Sequence, residues 1–168
     1  MGVEQTMEQA VDWYCMAADQ EDPRAVCNLG LCFERGDGVE VDLENAVRLY
    51  KLAAEAGYPP AQCNLGWCYE AGQGVEQSWP EAIHWYTVAA EAGYPRAQCN
   101  LGWCYENGAG VEQSWESAVA WYAKAAGQGD PRALNNLAWC YEYGKGVEKQ
   151  MPQAVHRYHG AAQRNYPP

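Results

Sequence analysis

The ten residues AQCNLGWCYE occupy Ala61–Glu70 and recur, letter for letter, at Ala97–Glu106. The two copies are 36 residues apart, and the same step separates the Gly-Val pairs that begin at Gly2, Gly38, Gly74, Gly110 and Gly146. The register holds through all 168 residues, so no insertion interrupts it. A fixed period of about 20 to 50 residues is the sequence signature of a protein built from stacked structural repeats.

Each 36-residue unit contains the signals of two helices. In the third unit, Ser78 is an N-cap residue, Pro80 suits the first turn, and Glu81 completes a capping box. Small and aromatic residues follow at helical spacing as far as Gly93, and Pro95 then opens the second helix. One such helix pair cannot bury its apolar face alone. The sequence therefore predicts an all-α fold, a right-handed superhelical α-solenoid of antiparallel helix pairs with 36-residue repeats.

The repeat also sets the expected domain organisation. We expect a single array over residues 1–168, with units that start at 2, 38, 74, 110 and 146 and a last unit that is incomplete. Neither end shows a polar capping helix, although repeat arrays need polar terminal faces for solubility. We therefore expect the chain to be a fragment or part of a longer array, with uncapped ends through which copies can self-associate.

Charge and hydropathy exclude several classes of partner. The formal net charge is −11, so the chain lacks the basic footprint of a nucleic-acid-binding protein and is unsuited to anionic membrane surfaces. No apolar run approaches the roughly 20 residues of a membrane-spanning helix. The first residues have neither the basic nor the apolar region of a signal peptide. We predict no nucleic-acid partner, no membrane association and a cytoplasmic location.

The eight cysteines fit that location. Cys63 and Cys68, like the equivalent pairs in two other units, are five residues apart, which is about 140° of rotation on a helix. Their side chains diverge, so we expect small, buried, reduced thiols rather than disulfides. The three histidines lie away from the cysteine positions of the repeat. The sequence accordingly predicts no metal site and no cofactor.

The unit pattern A-x-x-W-Y-x-x-A-A-E-x-G-x-P-x-A-Q-x-x-L-G-x-x-Y-x-x-G-x-G-V resembles the Sel1-like repeat family, a relative of the tetratricopeptide repeats. In the third unit the residues that carry the resemblance are Ala82, Trp85, Tyr86, Ala89, Ala90, Gly93, Ala97, Leu101, Gly102, Tyr105, Gly108, Gly110 and Val111. The resemblance covers essentially the whole chain, about four and a half units. The departures are Glu21 for a glycine, Ala138 for a glycine and Arg157 for a tryptophan.

The resemblance implies an adaptor or scaffold whose first helices line a concave groove for a peptide. On those helices, three rows of side chains point away from the core of the pair: an asparagine row, a tryptophan row and a glutamate row, with arginines one turn before the asparagines. Asparagine amides suit a peptide backbone, tryptophans suit an apolar anchor, and glutamates suit a basic one. The candidate partner-binding residues are Arg24, Asn28, Leu31, Asn64, Trp67, Glu70, Arg96, Asn100, Trp103, Glu106, Arg132, Asn136 and Trp139.

Each row also has a structural interpretation. The asparagines can hydrogen-bond to the neighbouring repeat and hold the stack together. The tryptophans can pack between adjacent first helices. The glutamates can form a solvated edge that keeps the protein soluble. Trp79 and Trp115 share a slot at a helix start and are expected to plug the structure there.

The sequence favours a protein–protein interaction scaffold that binds a peptide or partner domain carrying basic and apolar residues on its concave face. A structural spacer or self-associating array without a discrete ligand site is the alternative. A hydrolytic enzyme, as proposed for some cysteine-rich relatives with this repeat, is the third hypothesis. The five-residue cysteine spacing does not support the disulfides of those relatives, and no nucleophile has a histidine partner at a repeat-equivalent place, so we predict no enzymatic activity.

Overall fold

The structure is a computed structural model that describes residues 9, 11–16 and 22–165. Expectations for the remaining positions, including the repeat start at Gly2 and the departure at Glu21, lie outside the described residues. Every regular element within the described ranges is helical, which confirms the all-α prediction. Residues 9 and 11–16 are helical, and eight further helices follow: α1 (Pro23–Arg35), α2 (Leu43–Glu55), α3 (Pro59–Ala71), α4 (Trp79–Glu91), α5 (Pro95–Asn107), α6 (Trp115–Gly127), α7 (Pro131–Tyr143) and α8 (Met151–Asn165).

The chain divides into two compact units, Met1–Trp85 and Tyr86–Pro168. In the first unit, α1 packs against α2, and α2 packs against α3. In the second unit, α5 packs against α6, α6 against α7, and α7 against α8. Consecutive helices thus pack as the repeat predicts. That all repeats form one array over residues 1–168 stays a prediction.

The helix ends follow the predicted capping chemistry. Asp42 and Ser114 are N-caps whose side chains accept the backbone N–H of the third residue of α2 and α6, at 2.9 and 3.1 Å. Ser78 Oγ likewise accepts the N–H of Glu81, at 3.5 Å. Gly108 ends α5 in the left-handed conformation, with φ of 68°, and its N–H is bonded to the carbonyl of Cys104. These local signals therefore fix where each helix begins and ends.

The core repeats with the sequence. Tyr50, Tyr86 and Tyr122 are fully buried at equivalent positions, together with Leu65, Leu101 and Leu137. Alanines at the same repeat positions lie around these side chains and let the helices approach closely. A buried tyrosine also needs a partner for its hydroxyl, because an unpaired polar atom in a core is costly.

The glutamate row supplies that partner. Tyr122 donates its hydroxyl to Glu106 Oε2 at 2.6 Å, and Tyr158 donates to Glu142 Oε2 at 2.8 Å. Tyr50 makes the same bond to Glu34. All three glutamates are half-buried. A purely solvated edge is therefore not the whole role of these residues, since each carboxylate also accepts the hydroxyl of a tyrosine sixteen residues further along the chain.

Candidate partner-binding groove

Two adjoining clefts lie along α5 and α7 in the second unit. The first, which we call the Arg132 cleft, has a volume of about 320 Å³ and is lined by Cys99, Asn100, Trp103, Arg132, Asn135 and Asn136. The second, the Glu106 cleft, has a volume of about 340 Å³ and is lined by Glu106, Asn135, Asn136, Trp139 and Tyr158. Asn135 and Asn136 line both clefts, so the two form one groove.

The Arg132 cleft combines a cation, amides and an exposed indole. The side chain of Arg132 is exposed, and its Nη2 donates to Asn100 Oδ1 at 3.5 Å, a long hydrogen bond. Trp103 has 41% of its surface exposed, a large fraction for a tryptophan in a folded protein. The lining residues include one cation and no carboxylate. This end of the groove suits the carbonyl groups of a peptide backbone or a carboxylate.

The Glu106 cleft has the opposite charge. Its lining residues include one carboxylate, that of Glu106, and no cation. Trp139 is 36% exposed and stacks on Trp115, with ring centroids 5.6 Å apart and an interplanar angle of 28°. The ring of Tyr143 lies 4.9 Å from that of Trp139. Trp115 therefore supports the groove aromatics as well as starting its helix.

Two members of the asparagine row contact a cysteine of the preceding repeat. Asn64 is only 8% exposed, and its Nδ2 lies 3.8 Å from Cys27 Sγ on the preceding repeat. Asn136 makes the equivalent contact with Cys99, at 4.0 Å, although it remains half-buried in the groove. Because sulfur is a weak acceptor, these contacts contribute little energy, and each uses only one N–H of the amide. The expectation that Asn64 lies open to a peptide is wrong, since the side chain is buried between repeats.

In the first unit, the candidate residues are packed more closely than their counterparts. Leu31 and Trp67 are half-buried against the core of that unit, and Asn28 and Glu70 are half-buried. Arg24 is exposed but is paired with Asp22, at 3.2 Å between Nη2 and Oδ2. The guanidinium of Arg24 lowers the pKa of Asp22 through this hydrogen bond. The structure brings together Asn100, Trp103, Glu106, Arg132, Asn136 and Trp139 in the second unit, while Arg96 is exposed at the start of α5.

Sequence reasoning missed Asn135 and Tyr158. Asn135 occupies the position that holds Cys27, Cys63 and Cys99 in the other units. Those three cysteines are buried, whereas Asn135 is exposed and lines both clefts. The signal was present as the single cysteine-to-asparagine departure from the repeat, but a departure alone does not say which surface it changes.

The repeat identity is decided by comparison with known families. The profile of the Sel1 repeat matches residues 1–22, 23–58, 59–94, 95–130 and 131–166. The chain belongs to the Sel1 repeat family. This family consists of non-catalytic helical repeat proteins that commonly serve as protein-interaction scaffolds. Each complete Sel1 repeat here contains one odd-numbered and one even-numbered helix, for example α5 and α6.

Three solved structures show a similar fold. A Sel1 repeat protein from Oxalobacter formigenes is 35% identical with a TM-score of 0.87, over 94% of this chain and 62% of that one. A protective antigen of uropathogenic Escherichia coli strains with this repeat fold is 33% identical with a TM-score of 0.87, over 93% and 33% of the two chains. An immunity protein from Pseudomonas aeruginosa is 27% identical with a TM-score of 0.66, over 92% and 57%.

The chain thus spans about three fifths of the Oxalobacter protein and one third of the Escherichia coli antigen. No curated protein sequence matches the chain. In the described part of the chain, no helix has the length and apolar character needed to cross a membrane. Among the same residues, no cluster of three or more histidine, cysteine or acidic side chains is suited to hold a metal ion.

The cysteines of the Sel1 repeats differ in their exposure to solvent. The structure describes all eight, and none of them forms a disulfide. Cys15 is exposed, whereas the other seven are buried. Burial raises the pKa of Cys140 to about 11 and that of Cys68 to about 12, because the thiolate is poorly solvated there. Thiolates are the reactive form, so the buried thiols are expected to be inert.

A thiol titration tests this pattern. With a thiol-reactive chromogenic reagent at pH 8, we expect one thiol of the folded protein, Cys15, to react at least about tenfold faster than the rest. All eight should react after denaturation without reductant. Cys15→Ser should remove the fast phase and leave the other thiols unchanged. Fewer than eight thiols in the denatured protein would contradict the free-thiol assignment and revive a disulfide-stapled framework.

Proposed function

We propose that the chain is a protein-interaction module that binds an extended segment of a partner protein in the groove formed by the Arg132 and Glu106 clefts. The observation that carries the proposal is the exposure of Trp103 and Trp139 within adjoining clefts. Tryptophans at the centre of an interface are frequent hot spots because they bury a large area with little loss of conformational freedom. The partner segment is proposed to contribute apolar side chains to these two indoles.

Polar groups between the indoles support an extended peptide. Asn100, Asn135 and Asn136 line the groove, and a side-chain amide offers both a donor and an acceptor to a backbone. Asn135 is exposed, so its amide is accessible to a bound segment. Basic residues in the partner complement the net charge of −11, which also accelerates encounter with a cationic segment.

Self-association is the second candidate function, and one observation favours it. Val155 on α8 is 61% exposed, whereas Val11 and Val47 at the same repeat position are buried. A second copy of the chain that covered Val155 would give this residue the environment of its equivalents. Sedimentation or light scattering separates the two functions, because self-association raises the mass with concentration and is insensitive to changes in the groove.

Selection of peptides from a random displayed library, with the protein immobilised as the target, tests the proposed function. We expect selected peptides to be enriched in apolar and basic residues. They should bind Trp103→Ala/Trp139→Ala about 30-fold more weakly, the loss of about 2 kcal/mol typical of one hot spot. Trp121→Ala is the matched control, since Trp121 is a half-buried tryptophan on α6 that lines neither cleft.

Circular dichroism should show that the double variant and the control are both folded. Selection of no peptide by the wild type, or equal affinity of the selected peptides for the wild type and the folded double variant, would contradict the proposal.

A further inference from the structure

We infer that the Glu106 cleft is a subsite for one arginine side chain of the partner segment, an assignment that rests on the proposed function and makes its chemistry specific. The cleft volume of about 340 Å³ lies at the lower end of the range for small-ligand sites. It therefore accommodates a single long side chain rather than a folded element. The charge, the aromatic surface and the departures from the repeat each favour arginine.

The charge of the cleft comes from Glu106 alone. Its Oε2 accepts the hydroxyl of Tyr122, but a carboxylate has about four lone-pair directions and can accept further hydrogen bonds. The bond to Tyr122 also holds the carboxylate in place, which reduces the entropy lost when a ligand binds. The cleft lining contains no cation that would neutralise it. A guanidinium, with five donors in a fixed plane, matches one carboxylate and a neighbouring amide oxygen.

The aromatic lining of the cleft consists of Trp139 and Tyr158, and Trp115 and Tyr143 pack against Trp139. Guanidinium groups stack on aromatic faces and are more weakly hydrated than ammonium groups, so arginine gains more from such a surface than lysine does. Rings in this unit already hold cations in this way. The guanidinium carbon of Arg157 lies 4.8 Å from the ring centroid of Tyr141, and Lys145 Nζ lies 5.5 Å from that of Trp115.

Ala138 is a departure from the repeat on the helix that carries Trp139. In the preceding repeat the equivalent residue is Gly102, and a Cβ placed there would lie 2.7 Å from the ring of Tyr122. Glycine thus allows Tyr122 to pack directly on α5 and be fully buried. Ala138 is fully buried at the corresponding position, and the equivalent tyrosine, Tyr158, is half-buried and lines the cleft.

A second departure adds an acceptor. Asn135 replaces the cysteine found at this position in the other units, and its exposed amide lines the cleft beside Trp139. The amide oxygen of asparagine accepts hydrogen bonds far better than a thiol does. The two departures, at 135 and 138, therefore both change the surroundings of the same cleft.

Titration with blocked amino acids tests the subsite directly. The probes are N-acetyl-arginine methylamide, its uncharged citrulline analogue and its lysine analogue, followed by NMR through the indole N–H of Trp139. We expect arginine to shift this resonance with a Kd on the order of millimolar, and citrulline to bind at least about tenfold more weakly. Equal binding of citrulline, or no shift with arginine, would overturn the subsite. Equal binding of lysine would overturn the choice of arginine.

Two variants locate the effect. Glu106→Gln should remove the preference for arginine over citrulline, while its side-chain carbonyl still accepts the Tyr122 hydroxyl. Glu34→Gln is the matched control, because Glu34 holds Tyr50 in the same way but lies in the first unit. Ala138→Gly introduces the residue that the preceding repeat has at Gly102. It should let Tyr158 pack more closely and should weaken arginine binding. An arginine preference that persists in folded Glu106→Gln would contradict the assignment of the cleft as the arginine subsite.

The outcomes separate this inference from the proposed function. Groove-binding peptides that lack arginine, or that bind Glu106→Gln as tightly as the wild type, remove the subsite and leave the interaction function intact. An arginine-dependent shift of Trp139 without any groove-binding peptide leaves the subsite and removes the proposed function.

Discussion

Gly146→Ala is expected to lower the free energy of unfolding by about 2–5 kcal/mol, and two separate causes contribute to this loss. Gly146 has φ of 65°, a left-handed conformation that costs an L-residue about 1–2 kcal/mol. A Cβ at this position would also lie 2.4 Å from the carbonyl carbon and oxygen of Trp115. Backbone atoms cannot move aside as the end of a side chain can. The loop after α7 would therefore have to shift away from the start of α6.

Two other glycines of the same unit separate these causes. Gly93 has φ of 88° but nothing within 4 Å of the added Cβ, so Gly93→Ala should lose only the conformational term of about 1–2 kcal/mol. Gly127 ends α6 with open space around it and without positive φ, so Gly127→Ala should be neutral or stabilising by up to about 1 kcal/mol. Urea unfolding of the three variants provides the measurement. Equal losses for Gly146→Ala and Gly93→Ala would show that the approach to Trp115 is not tight.

The same close approach recurs at an equivalent glycine of the repeat. Gly74 in the first unit makes an equally close approach to the carbonyl of Leu43. The 36-residue step, the caps and these glycines are local features, so the sequence was sufficient to predict two helices per unit and where each begins. The loop glycine also links neighbouring repeats, because it places the loop of one repeat against the start of a helix in the repeat before it.

Exposure was harder to predict than fold. Ala61–Glu70 and Ala97–Glu106 are the same ten residues, yet Asn64 is buried and Asn100 only half-buried, and Trp67 is half-buried while Trp103 is exposed. Identical letters on identical helices cannot encode this difference. The cause therefore lies outside these ten residues, in the side chains that other repeats place around them. The sequence therefore predicted the same exposure for all members of a row, whereas their exposure differs in the structure.

The hydrogen bonds of the glutamate row were not predicted, for another physical reason. A periodic glutamate on an acidic chain is most simply interpreted as solvated, and the pattern does not display its hydrogen-bond partner. The partner, however, repeats with the same step: each tyrosine follows its glutamate by sixteen residues, as in Glu106 and Tyr122. A search for polar residues that keep a constant offset from a buried tyrosine would have paired them. Asn135 and Ala138 were visible only as departures from the pattern.

Tyr122→Ala is expected to lower the free energy of unfolding by about 3–5 kcal/mol, the range found when a large buried aromatic side chain is truncated. The Tyr122 ring is fully buried and packs against Gly102, so its removal leaves a cavity and also takes the hydroxyl from Glu106. Tyr122→Phe keeps the ring and should lose about 1.5–3 kcal/mol, since the hydrogen bond is to a charged group. Tyr158→Ala is the matched comparison and should lose less, because Tyr158 is half-buried. A loss for Tyr158→Ala as large as that for Tyr122→Ala would contradict the burial argument.

The Tyr122 hydroxyl should also make the protein sensitive to alkali. Burial, followed by the hydrogen bond to Glu106, raises the pKa of Tyr122 well above its ordinary value near 10. The folded state therefore holds this proton more tightly than the unfolded state does. The corresponding stability is complete below pH 10 and is lost as the pH rises further, by up to about 1.4 kcal/mol per pH unit for one proton. Urea unfolding between pH 9 and 11.5 should thus show a steeper decline for the wild type than for Tyr122→Phe. Parallel declines would mean that Tyr122 ionises as readily in the folded protein as in the unfolded chain, and that its hydroxyl is not held in the core by Glu106.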